Sequence, residues 1–176
     1  MLDLLIRGGT VVDGTGSAPY AADVAVENGK IVEVGDLPGA HARRVISADG
    51  KLVTPGFIDI HRHGDSALFG PDYGKAELAQ GLTTVLNGNC GLSLAPVAGP
   101  HRDELLRYLA PIVGGLPEGR DFPTLADYRA QASTVPQRLN NGMLVGMGTL
   151  RACVAGFRDA PLTDEEYHKL HVLLER

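Results

Sequence analysis

The sequence predicts an α/β protein in two parts: a small antiparallel β unit over residues 1–54, then strands alternating with helical segments over residues 55–176. Two patterns carry this. Before Pro55, short strand-like runs are broken by Gly-Gly, Asn-Gly and Asp-Gly pairs, as in hairpins joined by tight turns. After Pro55, apolar runs alternate with segments of helical spacing, as in βα units around a parallel sheet.

In chain order, Leu2 to Arg7 and Thr10 to Val12 read as strands flanking a turn at Gly8-Gly9. Asp23 to Gly35 reads as a hairpin about Asn28-Gly29, a pair favoured in type I′ turns. Asp49-Gly50 marks a turn before a strand from Lys51 to Thr54. In the second part the first strand runs from Gly56 to His63. A helix from Gly74 to Gln80 follows, stopped by Gly81, and then a strand from Leu82 to Asn87. Helices follow at Arg102 to Leu109, with Leu105, Leu106 and Leu109 on one side, and at Thr124 to Ala132, with Thr124 as N-cap. The surrounding Gly- and Pro-rich stretch from Ala98 to Phe122 reads as a loop excursion over the strand ends. The third strand is Met143 to Met147. Thr163-Asp164-Glu165-Glu166 fits a capping box that opens the last helix, whose core stripe is Tyr167, Leu170 and Leu174.

Composition excludes several functions. With 176 residues and 44% hydrophobic content the chain is ample for a globular domain, and nothing in it is low-complexity. Its net charge of −5, without a basic patch, argues against nucleic acid or an anionic membrane as partner. No apolar run is long enough to span a bilayer, and Asp3 in a short N-terminal apolar run does not fit a signal peptide. Two cysteines, Cys90 and Cys153, make a disulfide framework improbable and suit a reducing cytoplasm.

The chemistry concentrates at the end of the first βα strand. In an extended strand alternate side chains share a face, so His61 and His63 point together, above Phe57 and Asp59. Ile58 and Ile60 take the other face, as in a buried parallel strand. The spacing alone leaves two readings, a pair of metal-binding imidazoles or polar residues that end a strand. Cys90, just past the second strand in Asn87-Gly88-Asn89-Cys90-Gly91, is equally open. It is a thiolate that meets the histidines on one ion, or a small buried hydrophobe. Asp59 suits a partner that orients His61, and Asp65 a metal-site support, a substrate contact or simple turn chemistry. His168 and His171 share a helix face that reads as solvated surface, and Cys153 reads as core.

Three separated stretches carry a resemblance. Asp3 to Gly16 (DLLIRGGTVVDGTG) and Asp49 to His63 (DGKLVTPGFIDIHRH) resemble the amidohydrolase superfamily. Gln80 to Pro96 (QGLTTVLNGNCGLSLAP) resembles its N-acyl-D-amino-acid deacylase branch. The resemblance implies that residues 1–54 are part of a β-sandwich and that residues 55–176 hold the first three βα units of a TIM-like barrel. A complete barrel needs about 250 residues, so this chain cannot contain one. The implied metal is zinc, held here by His61, His63 and Cys90, the cysteine replacing a modified lysine of other members. Two further metal histidines and the acid/base aspartate are implied beyond Arg176. The implied reaction is hydrolysis of the amide of small-molecule N-acyl-D-amino acids by a water whose pKa zinc lowers to about 7. Leu144 to Arg151 (LVGMGTLR) resembles a Gly-His-Gly-Thr-Leu-Arg signature, with Met147 in place of the histidine. The chain alone is expected to be inactive and to self-associate through an unpaired sheet edge. Two alternatives stand beside this reading: a non-catalytic self-associating fragment, and a dihydropyrimidinase-like or dihydroorotase-like enzyme, against which Cys90 speaks.

Overall fold

A computed structural model describes residues 1–175, which fold as two compact units divided at Pro55 and Gly56. The first unit is a five-stranded sheet of β1 (Leu2–Val11), β2 (Tyr20–Glu27), β3 (Lys30–Gly35), β4 (Ala42–Ser47) and β5 (Leu52–Val53). The strand order is β3-β2-β1-β4, with β5 also on β1. The expected hairpin is present: Asn28 and Gly29 both take positive φ, at 54° and 72°, as a type I′ turn requires. Leu5 and Ala25 are buried, and Val11, Ala22 and Val24 form an apolar cluster against Ile6 and Val53.

This unit departs from the expectation in three ways. Gly8-Gly9 is not a turn, because β1 runs through it with a register shift between Ile6 and Gly9, where the Gly8 N–H donates to Asp23 Oδ1 at 2.8 Å. Residues 42–47 form a strand that the reading omitted, since Arg43 and Arg44 interrupt the apolar alternation of a β4 held largely by backbone pairing. The sheet is mixed rather than antiparallel, for β4 and β5 both lie parallel to β1.

The second unit has a three-stranded parallel sheet, ordered β6 (Phe57–Asp59), β7 (Leu82–Asn87) and β8 (Asn140–Met143). The helices are a 3₁₀ turn at Ala67–Phe69, α1 (Lys75–Ala79), α2 (Arg102–Val113), α3 (Leu125–Ala132), α4 (Met147–Ala155) and α5 (Asp164–Leu174). Leu105, Leu109 and Val113 place one face of α2 in a core with Leu94, Val97, Phe122 and Tyr128. Val97 N–H donates to Phe122 O at 2.8 Å, closing the base of the excursion. The stretch from Ala98 to Phe122 therefore supplies much of the core rather than a loop over the strand ends.

Other corrections follow from packing. β6 stops at Asp59, and as an edge strand of the described sheet it leaves Phe57 55%, Ile58 64% and Ile60 69% exposed, so it is not a buried strand. The third strand begins three residues earlier than expected and ends four earlier, at Met143, and Met147 opens α4 instead of ending a strand. A short apolar run with two glycines does not separate the two periods. On α5, Leu170 is buried and Leu173 packs against the core, whereas Tyr167 and Leu174 are 54% and 47% exposed. Among the described residues no helix is long and apolar enough to cross a membrane.

The capping box on α5 is complete: Thr163 Oγ1 accepts from Glu166 N–H at 3.3 Å, and Glu166 Oε2 accepts from Thr163 N–H at 2.8 Å. Arg158 pairs with the same carboxylate and, with the Thr163 N–H, holds its pKa down at about 2. Thr163→Ala is expected to lower stability in urea denaturation by about 1 kcal/mol. The depressed carboxylate stabilises the fold above its ordinary value of 4.5, and that contribution fades as pH falls towards about 2. Between those limits Glu166→Gln should show a shallower acid loss than the parent, and salt should reduce the difference at this surface pair.

Candidate metal centre

The centre forms where the chain leaves β6 and β7 at their C-terminal ends. His61 Nε2 lies 3.1 Å from Cys90 Sγ, and the His61 and His63 rings meet edge to face at 5.8 Å. One donor atom from each of His61, His63 and Cys90 falls within 4.8 Å of the others. Among the described residues no other group of three such side chains converges in this way. His61 and Cys90 are exposed and His63 is half-buried.

Local chemistry explains the approach. Cys90 stands in the left-handed region at φ 57°, which turns its side chain out of the line of β7. Gly88 before it has φ 76°, and a Cβ there would lie 2.1 Å from the Leu144 carbonyl oxygen, so only glycine lets the ends of β7 and β8 come so close beneath the cysteine. Asn87 Oδ1 accepts from Gly64 N–H at 2.8 Å, and Asn89 Nδ2 donates to Leu86 O at 2.7 Å and Arg62 O at 3.3 Å. These two amides sew the histidine segment to the cysteine loop. The sequence reading missed them, though two asparagines around a glycine at a strand end are a signal of side-chain bonding to backbone.

The two aspartates are placed differently. Asp59 Oδ1 accepts from the backbone N–H of His61 at 3.1 Å, so it reaches His61 through the main chain and not through the ring. Asp65 is fully buried, accepting from Leu94 N–H at 2.9 Å and Gly88 N–H at 3.4 Å, while its own carbonyl accepts from the Tyr128 hydroxyl at 2.8 Å. Burial pushes its carboxyl pKa up, and the two N–H donors oppose the shift. Burial also raises the Tyr128 phenol. Cys153 is buried, as expected, and its thiol reaches Pro96 O at 3.4 Å.

The donor set fits a metal ion. Two imidazoles and a thiolate are zinc ligands, and three protein donors leave a coordination position open. His63 Nδ1 is buried without a hydrogen-bond partner, an unmet polar demand on one of the three residues.

Residues 44–137 match the Amidohydrolase family. D-aminoacylase of Alcaligenes xylosoxydans xylosoxydans is 38% identical over 173 residues, which are 98% of this chain and 35% of that protein. The crystal structure of N-acyl-D-glutamate deacylase from Bordetella bronchiseptica, complexed with zinc and a phosphonate mimic of the tetrahedral intermediate, matches with a TM-score of 0.86. It is 34% identical over 99% of this chain and 35% of its own length. A D-aminoacylase studied for one-metal activation and second-metal attenuation of its binuclear centre matches at 0.80, with 37% identity over 98% of this chain and 35% of that one. The chain thus spans 35% of the length of these relatives. With more than half its residues inside the family match and these relatives along nearly all of it, the chain belongs to the amidohydrolase family.

Proposed function

We propose that this chain supplies the zinc-binding strand ends of an enzyme that hydrolyses the amide bond of N-acyl-D-amino acids. The observation that carries the reading is the convergence of His61, His63 and Cys90, in a chain whose relatives are D-aminoacylases. On this reading residues 1–54 belong to a larger β-sandwich and residues 55–176 to a barrel of which three strands are present. Cytoplasmic conditions suit a cysteine that has to remain a free thiolate.

His61, His63 and Cys90 would hold the ion. When bound, zinc supplies Lewis-acid polarisation of an amide carbonyl and lowers the pKa of water. The thiolate leaves the site less positive than three imidazoles would, and the two neutral rings donate lone pairs without adding charge. Asp59 steadies the His61 backbone, and Asp65 holds the histidine segment against the Gly88 and Leu94 backbones. With both carboxylates so occupied, neither is free to protonate a departing amine, a role worth about 10²–10⁴-fold in rate.

Two outcomes test the reading. Elemental analysis after dialysis should find zinc in the parent chain and a large drop in Cys90→Ser, since a hydroxyl is a far poorer zinc ligand at neutral pH. Equal zinc in both removes Cys90 from the ligand set. The 176-residue chain loaded with zinc should show no turnover of N-acyl-D-amino acids above the buffer rate. Activity abolished by a chelator would mean that the acid–base group lies within these residues.

A further inference from the structure

Arg62 stands between the two histidines in sequence, and no role for it has emerged from the ligand set. Its side chain leaves the His61–Cys90 cluster and pairs with Glu77, a buried carboxylate on α1, with Asp59 Oδ2 a further 3.8 Å contact. Its backbone is fixed as well, for the N–H donates to Leu86 O at 3.1 Å and the carbonyl accepts from Asn89 Nδ2 at 3.3 Å. Leu86 belongs to β7, and Asn89 is the neighbour of Cys90. One residue therefore ties together the β6 end, α1, β7 and the cysteine loop.

We infer that the Arg62–Glu77 ion pair is a positioning device for the metal centre, setting the orientation of His61 and His63 relative to Cys90. The inference rests on the metal-site reading above. A buried carboxylate is uncommon unless paired, and here its cation sits on the residue that separates the ligands. β6 itself ends at Asp59, so regular strand pairing does not hold the histidines. Past that point the peptide is held by a single bond to β7, side-chain anchors and the Asn89 amide. Moving Arg62 would shift both neighbouring imidazoles, because His61 and His63 are joined to it directly through the main chain on either side.

The pair is neither a ligand nor a catalytic residue, so its test reads the metal and not turnover. Zinc affinity is measured by competition with a chromophoric chelator, and the cobalt-loaded chain reports its geometry through d–d bands and the thiolate-to-cobalt charge-transfer band. Glu77→Gln should weaken zinc binding by about 10–100-fold and alter the cobalt d–d bands, as loss of a group that orients ligands does. Arg62→Lys, which keeps the charge but not the planar fork, should fall between it and the parent. Thr163→Ala, at the N-cap of α5, serves as the control for lowered stability alone and should leave both readouts unchanged. If Glu77→Gln does not fold, Arg62→Lys decides the matter. Variants that melt lower but keep the parent's zinc affinity and cobalt spectrum would show the pair to be purely structural and overturn the inference. Failure of the metal reading looks different: the parent itself would bind no cobalt, or Cys90→Ser would keep the charge-transfer band.

Discussion

The centre depends on what happens to backbone polar groups where two parallel strands end. A strand that stops leaves N–H and C=O groups that burial forbids to go bare, at about 1–3 kcal/mol each. Here side chains take them up: Asn87 serves Gly64, Asn89 serves Leu86 and Arg62, and Asp65 serves Gly88 and Leu94. All but the local Asn89–Leu86 bond join the segment after β6 to β7 or the segment after it. Satisfying the backbone and bringing His61, His63 and Cys90 together are thus one event. Tyr128 extends the arrangement into the apolar core, donating to the Asp65 carbonyl while its ring packs on Phe122 at 4.9 Å between centroids.

This division explains where the fold puts rigidity. The larger apolar cluster of the second unit gathers around α2, Phe122 and α4 and a smaller one around Val85 and Tyr73, whereas the side chains of β6 stand mostly open. The histidines follow β6, a strand of three residues at the edge of the described sheet. They are located by polar contacts from the better-packed β7 side, and apolar burial of their own strand contributes little. Precision at the centre comes from hydrogen-bond geometry, which is directional, where packing would be tolerant of small shifts.

Much of this was legible in the sequence and some was not, for identifiable reasons. His-x-His after an apolar run, and cysteine among glycines after the next strand, are local patterns, and the convergence follows once the two strands are parallel neighbours. The Asn28-Gly29 hairpin and the Thr163 capping box are likewise written in adjacent residues. The Gly8-Gly9 bulge looked like a turn because glycine permits both, and only the partner Asp23 decides between them. Met143 to Met147 read as strand, though β8 ends at Met143 and α4 opens at Met147, because apolar spacing over five residues has no resolvable period. Glu77 and Arg62 are fifteen positions apart, and only the fold brings them together.

Cys90 occupies a conformation that disfavours any residue with a Cβ, by about 1–2 kcal/mol relative to glycine. Its neighbours Gly88 and Gly91 show what the backbone alone would choose there. The replacement that best relaxes this loop is therefore glycine, which deletes the sulfur. Any search for a more thermostable variant, by selection or by design, will be drawn towards Cys90→Gly and will gain its stability by discarding the sulfur that converges with His61 and His63.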